Sequence, residues 1–491
     1  MKNYDNLADF IAELEDDGEL VRVSAEVDPE LELTEVTRRI LQSASDGPAI
    51  FFEHLRGHSM PVVVNLLGSE RRMLKALRTD SFAKVAERIA SLIQPELPEG
   101  WLEAVRLVPQ LSQLTRLPPK MVRTALCQQV VRLGRDVDLT QLPTPRFWPG
   151  DAAPTITMGQ VYTKNPRTGI RDIGMLTVEV RDHNTLTICW DAHHDARRAF
   201  DEYKAQGQQM PVAIALGGDP ILSYVANVPL PANTDESLLA GFLRGSNIEL
   251  VKCRSVDLEV PATAEIVIEG VIDTSLPLET AGPMACPTGF YDEPEEVPLV
   301  AVTALTHRSN PIFPARIFSS APSASDDYWI SRATEQVFLP FVRLFIPEIV
   351  DLHQPRAGVS RNLAFVSIRK EYPQQARKVM HALWSLPAFM VSKILVVVDA
   401  DIDVRDAEQV WFRAGANAHP GRDVVMCEGP THFSDHAAPV RGLGHKMGID
   451  ATRKLPGEGH SRSWPGDLQM DSATVENVAR RWAEYGFKSK Q

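Results

Sequence analysis

The sequence predicts an α+β protein of three parts, because the pattern of apolar residues changes twice along its 491 residues. Residues 1–118 mix helical and strand-like spacing, which indicates a small N-terminal α/β unit. Residues 119–312 hold short runs rich in Val, Ile and Thr, which indicate a mostly antiparallel β domain. Residues 313–455 alternate apolar strands with helices, as a C-terminal α/β domain does, and residues 456–491 form a tail with a last helix.

The individual elements follow from the same periodicity. Apolar residues at helical spacing predict helices at 6–17, 35–42, 74–92, 195–206, 373–383, 406–414 and 472–485. Short apolar runs predict strands at 20–23, 49–52, 62–64, 155–161, 173–180, 186–190, 211–216, 258–260, 264–268, 364–368 and 393–398. Five prolines between positions 95 and 119 mark the first domain boundary.

Composition narrows the function classes. The chain has 51 Lys and Arg against 64 Asp and Glu, a net charge of −13, which argues against nonspecific nucleic-acid binding and against docking on anionic membranes. Its 5 cysteines include no C-x-x-C pair, so neither a disulfide framework nor a structural zinc site is expected. The N-terminus has no apolar signal region, and no apolar run approaches the roughly 20 residues of a membrane span. We therefore expect a cytoplasmic protein.

Three polar residues stand where chemistry could occur. His193 opens a predicted helix beside His194; two solvated histidines at a helix cap are the simpler interpretation, and a metal ligand is the alternative. Asp172 lies in a predicted strand, where a carboxylate is unfavourable unless it is exposed or paired. Glu236 begins a helix that Asp235 could cap. Together Asp172, His193 and Glu236 would suit Mg²⁺ or Mn²⁺, but their spacing alone does not bring them together.

Several sequence blocks resemble the UbiD family of decarboxylases, which use prenylated flavin mononucleotide (prenylated FMN). The strongest are 211–220 (PVAIALGGDP), 240–245 (AGFLRG), 257–262 (DLEVPA), 265–270 (EIVIEG), 347–351 (PEIVD) and 442–452 (GLGHKMGIDAT). So many blocks in one order, over nearly the whole chain, make the resemblance specific. It implies an N-terminal α/β unit, a split β-barrel flavin-binding domain and a C-terminal α/β domain that mediates oligomer contacts.

The resemblance also implies a cofactor site. In the family an Asn, a His and a Glu hold Mn²⁺ or Mg²⁺, with K⁺ nearby, against the flavin phosphate. The matching residues here are Asp172, His193 and Glu236. Asp in place of Asn keeps an oxygen ligand and adds a negative charge. Further cofactor contacts are implied at Met175, Val228, Pro229 and Lys393. Lys393 is the base nearest to Pro387, where the family carries Lys or Arg.

The sequence departs from the family at its catalytic network of one Arg and two acids. Thr177 replaces the Arg, Ala281 replaces the first acid and Cys286 replaces the second. A shifted register could place Glu279 in the vacated site, and Asp292 is expected to face solvent. Cys286 could be a reactive thiol, although a lone Cys is more often a small buried hydrophobe.

Two functions follow as expectations. The first is a UbiD-like carboxy-lyase that reversibly decarboxylates a conjugated aromatic or heteroaromatic carboxylic acid, with a flavin prenyltransferase as its cofactor supplier. The alternative is a noncatalytic ligand-binding or structural subunit. We also expect a homodimer or larger homo-oligomer, because the apolar segment 380–390 looks too large for one helix to bury.

Overall fold

The computed structural model describes residues 4–42, 47–93, 117–190, 194–318, 326–358 and 362–486. Its N-terminal unit consists of α1 (Leu7–Asp16), β1 (Leu20–Val27), α2 (Glu32–Gln42), β2 (Ala49–Leu55), β3 (Val62–Val64), α3 (Glu70–Ala76) and α4 (Phe82–Ile93). Asn6 caps α1 by accepting from the Asp9 N–H, and Gly18 follows the helix with a φ of 71°. Helix was expected over 74–92, and the structure divides it between α3 and α4. Arg78 leaves the helical path at a φ of 53°, and its guanidinium lies 2.8 Å from buried Asp219.

The middle domain contains a closed barrel of six strands and several further elements. Its elements are β4 (Lys120–Met121), β5 (Val130–Leu133), β6 (Thr155–Lys164), β7 (Arg171–Val180), β8 (Thr185–Cys189), α5 (Asp195–Gln206), β9 (Met210–Leu216), α6 (Pro220–Val225), α7 (Glu236–Arg244), β10 (Glu249–Lys252), β11 (Glu259–Pro261), β12 (Ile266–Ile272), β13 (Glu279–Ala281), β14 (Met284–Ala285), β15 (Tyr291–Asp292), β16 (Glu295–Val297), β17 (Leu299–His307) and β18 (Phe313–Ala315). Six antiparallel strands close in the order β6-β7-β8-β17-β12-β9 and back to β6. Alternate side chains of these strands, such as Val178 and Ile188, fill the barrel core. The strand β18 pairs in parallel with β3, so the chain returns to the N-terminal sheet after the barrel.

The C-terminal domain is a five-stranded sheet with helices. Its elements are α8 (Asp326–Phe345), β19 (Ile349–His353), β20 (Leu363–Ile368), α9 (Gln375–Trp384), β21 (Ile394–Asp399), α10 (Ala407–Asn417), α11 (Pro420–Asp423), β22 (Val424–Pro430), β23 (Leu443–Asp450) and α12 (Ser472–Arg480). Strands β20, β21 and β23 run parallel, with α9 crossing between the first two, as the predicted βαβ pattern requires. The predicted α+β fold with a β-barrel between two α/β units is thus confirmed.

One reason given above for an oligomer is wrong. Met380 and Leu383 of α9 are fully buried, and Trp384 and Phe389 nearly so, because this chain's own sheet and α8 cover them. Exposed apolar side chains occur in several parts of the chain, and the tail is one of them: α12 buries none of its residues, and Leu468, Met470 and Val475 are exposed. Among the residues with described coordinates, no helix is long and apolar enough to cross a membrane.

Candidate active site

Two carboxylates meet at the start of strand β7. Asp172 lies opposite Thr163 of β6 and accepts a hydrogen bond from its hydroxyl at 3.3 Å. Glu236 is the first residue of α7, where Asp235 caps the helix by accepting from the Ser237 N–H. The Glu236 side chain reaches β7, and its Oε2 accepts from the Ile173 N–H at 2.8 Å. The fold therefore places Glu236 beside Asp172, although 64 positions separate them in sequence.

The electrostatics of this carboxylate pair fit a bound cation. Burial raises the pKa of Glu236 to about 9, and the charge of Asp172 adds to the rise. Burial also raises the pKa of Asp172, while neighbouring His194 opposes the rise. Because each ionised group is costly without a counter-charge, a divalent ion between the two would stabilise both. Oxygen donors of this kind suit Mg²⁺ or Mn²⁺.

The third expected metal ligand, His193, lies outside the described residues. Its neighbour His194 caps α5 by accepting from the Ala196 N–H at 3.1 Å, and its ring lies 3.9 Å from the Asp172 carboxylate. Gly174 makes this approach possible, because a Cβ there would stand 2.5 Å from the His194 ring. Within the described ranges no group of three potential ligands forms, so the complete metal site stays a prediction that depends on His193.

The other expected cofactor contacts fall into two places. Met175 donates its N–H to the Ala226 carbonyl at 2.7 Å, so β7 is held against the segment that continues to Val228 and Pro229. Lys393 belongs to the C-terminal domain, and its ammonium group is paired with the Asp435 carboxylate at 2.8 Å and 3.0 Å.

The vacated network positions form an apolar wall. Thr177 of β7 lies directly opposite Cys189 of β8. Ala281 is fully buried, in a small cluster with Met284 and Val297 against which Cys189 packs. Glu279, which a shifted register could have placed here, is exposed at the start of β13. None of these side chains offers the bidentate positive fork that recognises a carboxylate.

Cys286, at the position of the second lost acid, lies among polar groups, one of which was expected to face solvent. Cys286 is buried, and its thiol lies 2.7 Å from the Thr288 hydroxyl. Asp292 was expected to face solvent, but it is half-buried and accepts from Ser434 of the C-terminal domain at 2.9 Å. Burial raises the pKa of Asp292 above its usual value. The loop that carries Ser434 has no motif of its own, so this contact could not be predicted from the sequence.

A salt bridge between domains was also missed. Arg441, in the loop before β23, lies 3.1 Å from the carboxylate of Glu295 on β16. Both residues lie in polar segments whose composition predicts exposure to solvent. Their contact is visible only in the folded structure.

Three family models together match most of the chain. They are the N-terminal domain of 3-octaprenyl-4-hydroxybenzoate carboxy-lyase over residues 11–91, its Rift-related domain over 120–322 and its C-terminal domain over 328–451. The fold and these matches thus define a UbiD-class protein. The chain belongs to the UbiD family.

Similar proteins agree with this assignment. An uncharacterized protein of Aquifex aeolicus (strain VF5) is 40% identical over 485 residues, covering 99% of both chains. Vanillic acid decarboxylase of Sedimentibacter hydroxybenzoicus, in its closed form, is 26% identical with a TM-score of 0.87 over 99% of this chain and 100% of that one. The open form of that enzyme gives 0.77 over the same coverage. The UbiD-class enzyme HmfF of Pelotomaculum thermopropionicum, in complex with FMN, is 27% identical with a TM-score of 0.78 over 98% and 100%.

Proposed function

We propose that this protein is a decarboxylase that uses prenylated FMN and a divalent metal to remove CO₂ from a conjugated aromatic or heteroaromatic carboxylic acid. The observation that carries the proposal is the buried pair of Asp172 and Glu236, which the fold brings together at the barrel and which a divalent cation would stabilise in the ionised form. The complex of HmfF with FMN, and that of an evolved dimeric HmfF with prFMN, support a flavin as the cofactor.

Two groups of residues would bind this cofactor: one would hold the metal and the other would border the flavin. Asp172, His193 and Glu236 would hold the metal, and the metal would hold the flavin phosphate. Met175, Val228 and Pro229 would border the flavin, because β7 and the segment after α6 are joined by a backbone hydrogen bond. When bound, prenylated FMN supplies an electron sink for the electrons left behind by departing CO₂.

Asp172 changes the charge of this site. An aspartate binds the cation more strongly than an asparagine does, but it also repels the phosphate. We therefore infer that flavin binding depends more steeply on Mn²⁺ or Mg²⁺ here than it would with Asn at this position. Asp172→Asn is expected to relax that dependence.

A noncatalytic ligand-binding subunit is the second candidate, and one observation favours it. Thr177, Ala281 and Cys189 form an apolar wall where the resemblance implies a carboxylate clamp. Both candidate functions predict the same cofactor. They differ in whether an added carboxylic acid loses CO₂.

Turnover separates the two candidates. The protein would be co-expressed with a flavin prenyltransferase, supplied with Mn²⁺ and incubated with vanillic, 3,4-dihydroxybenzoic, 4-hydroxybenzoic and cinnamic acids, and the products would be followed by NMR. A decarboxylase releases CO₂ from at least one acid, and Glu236→Gln lowers this release by weakening metal binding. Cofactor uptake without release of CO₂ from any acid would favour the binding subunit.

A further inference from the structure

A second set of charged residues surrounds the vacated network. Glu295 lies directly opposite Ala281 in the ladder between β13 and β16. The thiol of Cys189 donates to the Glu295 carboxylate, and Cys189 itself is the cross-strand partner of Thr177. One acid therefore stands next to both the lost Arg position and the first lost acid position.

An arginine reaches the same place from the C-terminal domain. The guanidinium of Arg441 lies 3.1 Å from Glu295, donates to the Glu293 carbonyl at 3.5 Å and packs over the Phe433 ring at 5.3 Å. Its side chain keeps 29% of its surface exposed, so it is held in position and is still accessible to a ligand. A guanidinium held on one edge by a carboxylate can present its other donors to a second carboxylate.

A second acid stands beside the third vacated position. Asp292 accepts from the Cys286 thiol and from the Ser434 hydroxyl, with Arg441 and Glu293 as the other charged groups near it. Burial raises its pKa above the usual value, which favours the protonated form that a proton donor needs. Ser434 and Arg441 both come from residues 431–442, so one loop of the C-terminal domain completes both contacts.

We propose that the catalytic network has moved to this loop contact: Arg441, positioned by Glu295, binds the substrate carboxylate, and Asp292 donates the proton that replaces CO₂. This inference rests on the proposed function. The bond between the carboxylate and the substrate carbon breaks, CO₂ leaves, and the electron pair of that bond remains with the conjugated substrate, for which bound prenylated FMN would be the electron sink. The proton of the Asp292 carboxyl then forms the new C–H bond, and water returns a proton to Asp292. Arg441 and Asp292 would be catalytic residues, and Glu295 a positioning residue.

The relocated network requires the two domains to be closed on each other. The TM-score of 0.87 to the closed vanillic acid decarboxylase, against 0.77 to its open form, is consistent with such an arrangement. Separation of the domains would break the contacts of Arg441 with Glu295 and of Asp292 with Ser434 together.

Ligand binding tests the arginine without turnover. The probes are the four acids named above and their methyl esters, which lack the charge, titrated by calorimetry into protein saturated with FMN and Mn²⁺. Arg441→Met is expected to weaken binding of the acid that binds best by about 10- to 100-fold and to leave its ester unchanged, because only the acid loses a charge-assisted pair. Arg462→Met, on an exposed loop, serves as the matched control. Equal binding of the acid to wild type and Arg441→Met would overturn the inference, whereas no acid binding to wild type would refute the proposed function itself.

Turnover by the prenylated-FMN-loaded protein then separates the roles of the two acids. Asp292→Asn is expected to lower kcat by about 10²- to 10⁴-fold with little change in acid affinity. Glu295→Gln is expected to raise KM more than it lowers kcat, since it only loosens Arg441. Glu408→Gln, at an exposed side chain of α10, is the control for both variants. Loss of activity in Glu279→Gln, with Asp292→Asn and Glu295→Gln active, would assign the chemistry to Glu279 and refute the relocation.

Discussion

Restoring the family's first acid by Ala281→Glu should destabilise this protein. Ala281 is fully buried against Met284, Val297 and Cys189, so a longer side chain there has to displace packed neighbours. Overpacking alone costs about 1–3 kcal/mol. A second carboxylate opposite Glu295, buried and without a cation of its own, brings the expected loss to about 3–5 kcal/mol in the free energy of unfolding.

Adding Thr177→Arg should recover part of that loss. Position 177 faces Cys189, which packs against Ala281, so an arginine at 177 can reach a glutamate at 281 across one intervening side chain. A pair formed in this way should show a coupling free energy of about 1–3 kcal/mol in a double-mutant cycle.

The assay is urea unfolding of the wild type, both single variants and the double variant, followed by tryptophan fluorescence, for which buried Trp190 provides a probe within the barrel. Leu276→Glu, at a side chain that is 56% exposed, is the matched control and should change stability by less than about 0.5 kcal/mol. A neutral Ala281→Glu, or strictly additive single variants, would refute the view that a packed cluster now occupies the position of the first acid.

Three further predictions concern stability and assembly. Glu458→Gln should cost the C-terminal domain about 3–5 kcal/mol in chemical denaturation, because buried Glu458 accepts from buried Lys370 at 2.6 Å, whereas exposed Glu476→Gln should be neutral. Burial raises the pKa of Asp326 to about 6, so the free energy of unfolding should fall as pH rises from about 4 to 6, and Asp326→Asn should remove that fall. The unburied helix α12 should pack on another copy of the chain, so Val475→Asp should lower the mass seen by light scattering; a wild type with the mass of one chain would contradict this.

Local patterns predicted the fold well where one element decides its own structure. The helix at 195–206 and the strand at 62–64 have the predicted bounds, because apolar periodicity and caps act over a few residues. The break between α3 and α4 within the helical segment 74–92 was not predicted, because it coincides with a tertiary contact between Arg78 and Asp219. The periodicity of apolar residues carries no information about a contact between residues so far apart in sequence.

The candidate site divides in the same way. Asp172 and Glu236 could be named from the sequence because the family motifs carry them, and the structure brings them together. Arg441 and Glu295 could not be named, since their pairing depends on how a loop of one domain meets a strand of another. For Asp292, polarity suggested exposure, and only the contact with Ser434 shows that it is half-buried.

Native mass spectrometry of the protein tests the central claim most directly. The chain would be co-expressed with a flavin prenyltransferase, purified with Mn²⁺ present and measured under non-denaturing conditions. The account predicts an added mass equal to prenylated FMN plus one divalent metal per chain, with both lost in Glu236→Gln. A wild-type chain that carries neither flavin nor metal would contradict it.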